Sequence, residues 1–175
     1  MTDGRSGSRS AWHMPAARPN RGVIDRFVGE FHFLSNFYPG VVVYDHKKFP
    51  SAEHAYQCQK IPGLFWHKIC IIKTAANAKR AVHTLLKDPA RGFLWDQAEW
   101  DKKKIAIMRA VLVAKFSHPM LRDMLNDTAP CELIEGNTWK DRFWGVPVDK
   151  HGFRTGTGEN HLGKLLMQIR DGKRE

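Results

Sequence analysis

Between Asp96 and Phe116 the residues Ile105, Met108, Leu112 and Phe116 recur at intervals of three and four, the spacing that lines one face of an α-helix. A helix of that length is a rod of about 30 Å, and the rest of a 175-residue chain has to pack around it. The lysine run at 102–104 then falls on a solvated face. Shorter helices are predicted over 64–73, over 75–87 with an end set by Pro89, and after Pro119. A closing helix carries Leu162, Leu165, Leu166 and Ile169 as an apolar seam. Residues 23–37 read as a strand running into a loop, "VVVYD" at 41–45 as a short strand able to pair with it, and "CELIE" as a strand ending at Glu135. Together these elements predict an α+β fold: a predominantly helical single domain, residues 23–175, with a small antiparallel sheet.

The first 22 residues stand apart. They carry Arg5, Arg9, Arg18 and Arg21 against one acid, Asp3, with too few apolar residues to offset the entropy of ordering, and a disordered basic tail is predicted there. The whole chain holds 28 Lys and Arg against 18 Asp and Glu, a formal charge of +10. That excess points to anionic partners such as nucleotides, phosphosugars or nucleic acid, although part of it belongs to the tail. No run has the length and apolarity of a signal peptide core or a bilayer span, so a soluble, cytoplasmic protein without a membrane partner is expected. Cys58, Cys70 and Cys131 have neither CxxC nor zinc-finger spacing and read as reduced structural thiols.

One short segment, "FPSAEHAYQCQK" at 49–60, frames the functional question. Ser51 is placed to cap a helix whose first turn holds Glu53. At about 100° per residue, Glu53, Gln57 and Lys60 share one stripe, with Ala52, Ala55, Tyr56 and Cys58 on the arc facing the core. Such a stripe is a solvated face or the wall of a polar pocket. Two further clusters stand far from it: "FLSNFYP" at 33–39, with Ser35, Asn36 and Phe37, and "ELIEGNTWKDRFWG" at 132–145, with Glu135, Asp141, Trp144 and Gly145. Other chemistries are weaker. "GENHLGK" at 158–164 imitates a P-loop but continues with Leu165 where Ser or Thr would hold Mg²⁺. The milder alternative is that Gly156 and Gly158 let backbone approach a phosphate at the start of the last helix, or merely form a tight turn. The histidines lack metal-site spacing, and Cys58 is expected in the core and unsuited to act as a thiolate. The basic balance and six tryptophans would suit single-stranded nucleic acid, but no RRM-like, KH-like or zinc-finger signature is present.

Taken in order, "FLSNFYP", "FPSAEHAYQCQK", "MRAVLVAKF" at 108–116, "LIE" at 133–135, "DRFWG" at 141–145 and "GENHLGKLLMQIR" at 158–170 resemble the NADAR family, also called YbiA-like. The resemblance implies cleavage of a bond between ribose and nitrogen. Its two known directions are phosphorylated intermediates of riboflavin synthesis (phosphoribosylamino-pyrimidines) and ADP-ribosylated guanine within NAD and ADP-ribose metabolism. It implies a substrate partner of that kind, with nucleic acid as a carrier of the modified base, and no cofactor or metal. A non-catalytic module that binds ADP-ribose or NAD is the alternative. In a glycosidase, Glu53 is the expected acid, base or oxocarbenium stabiliser and Asp141 the second carboxylate. Lys60 is a phosphate or carboxylate partner, or an amine that captures the anomeric carbon as a Schiff base, and Lys47 is a second candidate for that amine. Ser35, Asn36, Phe37, Gln57, Trp144 and Gly145 are expected around the substrate, and Gly158 and Asn160 near a phosphate. Arg109 is read as a phosphate ligand or a partner of Glu53 or Glu135, and Glu135 as a substrate contact or a support for the loop carrying Asp141.

Overall fold

The computed structural model describes residues 22–88, 90 and 93–173. The expected N-terminal tail lies outside the described residues, apart from Gly22. Six α-helices are described: α1 Ala52–Cys58, α2 Trp66–Cys70, α3 Ala75–Lys87, α4 Gln97–Lys115, α5 Pro119–Asn126 and α6 His161–Arg170. With the short strand pairs described below they form the α+β, mainly helical domain that the sequence predicts.

The long rod is α4, and Asp96 caps it by accepting from the Glu99 N–H at 3.0 Å. It divides the interior in two. Met108, Leu112 and Phe116 join Leu34, Leu125, Leu133 and Leu166 on one side. Val111 joins Phe49, Ala55, Ile69 and Val82 on the other, while Ile107 packs against both clusters. A helix enclosed on two sides spreads its apolar residues around the axis. The predicted single stripe is therefore too simple: Ile105 is 38% exposed, and Trp100 provides the burial near the start of the helix.

The strands depart further from expectation. Val42–Tyr44 (β2) pairs antiparallel with Lys47–Phe49 (β3), not with residues 23–37. Asp45 and His46, at φ 49° and 59°, make the two-residue turn that matches strand twist, so the nearest segment in sequence takes the edge. Val23–Ile24 (β1) instead pairs parallel with Glu132–Leu133 (β4). Gly29–Leu34 forms a 3₁₀ helix that drives Phe33 and Leu34 into the core. A third pair, Gly136–Asn137 (β5) and Val146–Pro147 (β6), is also parallel. The predicted 64–73 helix resolves into a 3₁₀ turn at Gly63–Phe65 followed by the short α2.

The helix that carries the polar stripe is α1, wedged between α3 and α4. All seven of its residues are buried. The Ser51 Oγ accepts from the His54 N–H at 3.3 Å and meets His54 Nδ1 at 2.8 Å, and His54 Nε2 reaches the Ile72 carbonyl at 3.0 Å. Ser51→Ala removes the cap and one partner of a buried imidazole. It is expected to lower stability by about 1–2 kcal/mol, measured by urea denaturation.

Candidate active site

With α1 enclosed, Glu53 and Gln57 cannot face bulk water; they are 5% and 1% exposed. They face a cavity of about 220 Å³ whose walls come from the 35–37 loop, α1, α3, α4 and the 135–144 segment. Within it Gln57 Nε2 donates to Glu53 Oε1 at 2.8 Å. The 35–37 loop is fastened at two points. The Asn36 carbonyl accepts from the Glu53 N–H at 2.9 Å, and the Ser35 carbonyl accepts from Lys115 Nζ at 2.7 Å. Lys115 is buried, and burial pulls its amine down to about 7 against the opposing effect of Glu135.

The 135–144 segment is held just as closely. The Asn160 side chain accepts from the Glu135 N–H at 3.0 Å and donates to the Leu133 carbonyl at 2.9 Å. Asn137 brackets Asp141 by accepting its N–H at 2.9 Å and donating to its carbonyl at 2.8 Å. Asp141 Oδ1 then accepts from the N–H groups of Phe143 and Trp144, each at 2.9 Å. A Cβ on Gly145 would lie 2.1 Å from the Glu135 carbonyl oxygen, and one on Gly158 would lie 2.1 Å from that of Gly145. Backbone here stacks on backbone, which only glycine permits.

The electrostatics follow from this enclosure. Burial, then the neighbouring Asp141 and Glu53, push the Glu135 carboxyl up to about 8, with Lys115 and Lys79 acting the other way. Burial lowers the Lys60 amine to about 8, opposed by Glu53 and assisted by Lys79 and Lys104. The Lys60 amine rests 5.2 Å from the ring centroids of both Tyr56 and Trp100. Trp144 meets Tyr56 edge-on at 5.7 Å. Three buried oxygens on cavity-lining residues, Asn36 Oδ1, Gln57 Oε1 and Glu135 Oε2, have no hydrogen-bond partner.

The cavity thus brings together Glu53, Gln57 and Lys60 with Ser35, Asn36 and Phe37, and with Glu135, Asp141 and Trp144. Five other sequence candidates stand elsewhere. Lys47 lies on the β2–β3 hairpin with its amine 4.1 Å from the centroid of Trp66. Arg109 Nη2 donates to the Lys173 carbonyl at 2.6 Å. Gly145, Gly158 and Asn160 build the stack behind Glu135. No phosphate cradle forms at the start of α6, because the His161 and Leu162 N–H groups donate to the Phe143 and Trp144 carbonyls at 3.2 and 3.0 Å. Sequence reasoning passed over Lys79, Asn137 and Trp139, which line the cavity, and Lys115 behind it. A lysine set among apolar residues in "MRAVLVAKF" was the signal for Lys115; Asn137 and Trp139 lay inside a quoted cluster, and Lys79 had no signal.

Residues 26–173 match the NADAR domain. The chain belongs to the NADAR domain family. Among NADAR relatives, N-glycosidase YbiA of Escherichia coli (strain K12) is 34% identical over 140 residues, covering 79% of each chain. A riboflavin biosynthesis protein of Vibrio vulnificus is 32% identical over 141 residues, 79% of this chain but 35% of that one. The chain therefore spans about a third of the length of that relative. The NMR structure of E. coli YbiA superimposes with a TM-score of 0.66 at 29% identity, covering 91% of this chain and 92% of that one.

In this NADAR domain the buried Glu135 ties stability to pH. Its folded-state pKa is raised, so its contribution is complete in acid and is lost as pH rises through about 8. Lys115 acts in the opposite sense only above about 7. Between pH 5 and 7 the wild type should therefore lose stability relative to Glu135→Gln by about 1 kcal/mol per pH unit. Denaturant titrations across that window measure the difference.

Proposed function

We propose that this chain is an N-glycosidase that hydrolyses the bond between ribose and a base in a nucleotide-like substrate, an ADP-ribosylated guanine or a phosphoribosylamino-pyrimidine. The supporting observation is the convergence on one cavity of a proton-bearing Glu135, the Glu53 carboxyl and the Lys60 amine, beside the unpartnered acceptor oxygens of Asn36 and Gln57. Leaving buried acceptors unmade costs about 1–3 kcal/mol each, and a sugar with several hydroxyl donors satisfies them. The names of the relatives, N-glycosidase and riboflavin biosynthesis protein, agree with a ribosyl substrate.

In the proposed reaction the neutral Lys60 amine attacks the anomeric carbon as the bond to nitrogen breaks. Glu135 transfers its proton to the departing nitrogen. Glu53 opposes the positive charge that builds on the sugar and accepts the proton released from Lys60. The sugar ring then opens to a Schiff base on Lys60, the form borohydride reduces, and water adds to its carbon to release the sugar and regenerate the amine. Asp141, Asn36 and Gln57 hold the sugar hydroxyls, Ser35 and Phe37 shape the wall beside them, and Trp144 borders the pocket. A nucleic acid carrying the modified base is a substrate of the same kind.

Purified protein incubated with both substrates should release free base or ADP-ribose; tight binding without release would favour a non-catalytic module. Glu53→Gln is expected to lower turnover by at least about 100-fold. Rate requires Lys60 deprotonated and Glu135 protonated, both near 8, so kcat/KM should follow a narrow bell around pH 8. Glu135→Gln should reduce it by roughly 100- to 10,000-fold and abolish the alkaline limb. Borohydride should trap a sugar adduct in the wild type and in Lys47→Ala but not in Lys60→Ala. Turnover with no adduct in any of them would assign the attack to water.

A further inference from the structure

In the proposed reaction Glu135 protonates the departing nitrogen, so the ring that bears this nitrogen lies beside the 135–144 segment. Two tryptophans of that segment line the cavity, Trp139 and Trp144, and they are differently placed. Trp144 packs against the core and is held by Tyr56, Phe143 and His161, with ring centroids 5.7, 4.9 and 6.3 Å away and each pair close to edge-on. Trp66, Trp95 and Trp100 each have a ring neighbour as well. Trp139 is 57% exposed, and among the described residues no hydrogen bond, ring contact or cation engages it. A residue that lines the cavity and is still mostly open to solvent stands at its rim.

The backbone that carries this indole is fastened at both ends. Thr138, Trp139 and Lys140 form an exposed tip, closed beneath by the buried Asn137, whose side chain takes both the N–H and the carbonyl of Asp141 at 2.9 and 2.8 Å. Lys140 adopts a left-handed conformation, φ 62°, which turns the chain back into Asp141. Asp141 is fixed in turn by the Phe143 and Trp144 N–H groups. A ring presented on so constrained a loop loses little freedom when a ligand covers it. Leaving its apolar faces in water is unfavourable, and a planar ring laid on one of them recovers that area.

We propose that Trp139 is the specificity residue for the leaving group: it stacks on the planar ring of the departing base and favours a bicyclic purine over a single pyrimidine ring. The assignment rests on the reading of the cavity as an N-glycosidase site. Aromatic faces hold a nucleobase by stacking, and the attraction grows with the area of overlap. Indole is itself bicyclic, so a fused two-ring base covers both of its rings while a pyrimidine covers one. Of the two proposed substrates, the ADP-ribosylated guanine therefore uses the contact fully. The same overlap exists before and during bond cleavage, so it acts on binding and not on the chemical step.

Trp139→Leu, at an exposed tip, should leave thermal unfolding unchanged. With the guanine substrate it should raise KM about tenfold or more and leave kcat within about twofold. With the pyrimidine substrate the rise should stay below about threefold, and Trp139→Tyr should restore most of the loss. A second readout needs no turnover. The indole N–H resonance missing from the NMR spectrum of Trp139→Leu identifies Trp139 in the wild type, and guanosine should shift it at concentrations about fivefold or more below those that uridine requires. Equal effects of the substitution on both substrates, a lowered kcat with unchanged KM, or a resonance indifferent to guanosine would overturn the assignment. A resonance that instead moves with protein concentration alone would also overturn it, making the indole a contact between copies of the chain. Release of base from neither substrate would count against the glycosidase reading, and the guanosine titration would still decide the stacking.

Discussion

The constraint on which this structure turns is a seven-residue helix with no exposed face. Because α1 is enclosed by α3 and α4, its acid and amide cannot be solvated from outside. Burying polar groups is costly unless they are paired. Glu53 and Gln57 partly satisfy each other at 2.8 Å, and what they leave over is directed at a cavity. Turning the stripe to solvent would expose Ala55, Tyr56 and Cys58, each no more than 3% accessible. Apolar burial on one arc thus holds the polar arc in the interior, and the site is a by-product of how the core closes.

That enclosure also holds a proton on Glu135. Three acids border one small cavity, and charging all of them in a poorly solvated space is unfavourable. Glu135, among the buried polar residues and clamped by Asn160, retains its proton to about 8. Lys115 lies beneath the same region as a buried amine shifted toward its neutral form. A carboxyl and an amine shifted toward their neutral forms in this way lower the charge the interior must hold, and the backbone of Gly145 packs directly against the Glu135 carbonyl behind them.

Much of this was legible in the chain. The Ser51 cap, the α3 boundaries and the stripe of Glu53, Gln57 and Lys60 follow from local rules of spacing and capping, and they reappear in the structure. What was not legible depends on distant neighbours. Nothing local distinguishes a strand at 23–24 that pairs with 132–133 from one that pairs with 41–45. The glycines near 158 suit a phosphate turn and a backbone stack equally, and only the approach of Gly145 and Glu135 separates these. The resemblance places Asn160 near a phosphate, and Arg109 is read as a phosphate ligand or a partner of Glu53 or Glu135. Asn160 instead bonds to Leu133 and Glu135, and Arg109 bonds to the C-terminal end of the chain.

The bond from Lys115 to the Ser35 carbonyl joins residues 80 positions apart. Through it the long helix dictates the shape of a loop that has no regular structure of its own at Ser35–Phe37. The wall of the cavity is therefore a property of the assembled tertiary structure, made by residues far apart in sequence. Occupancy of that cavity would serve as a sensitive gauge of cooperative folding, vanishing as soon as α4 and the 35–37 loop part company.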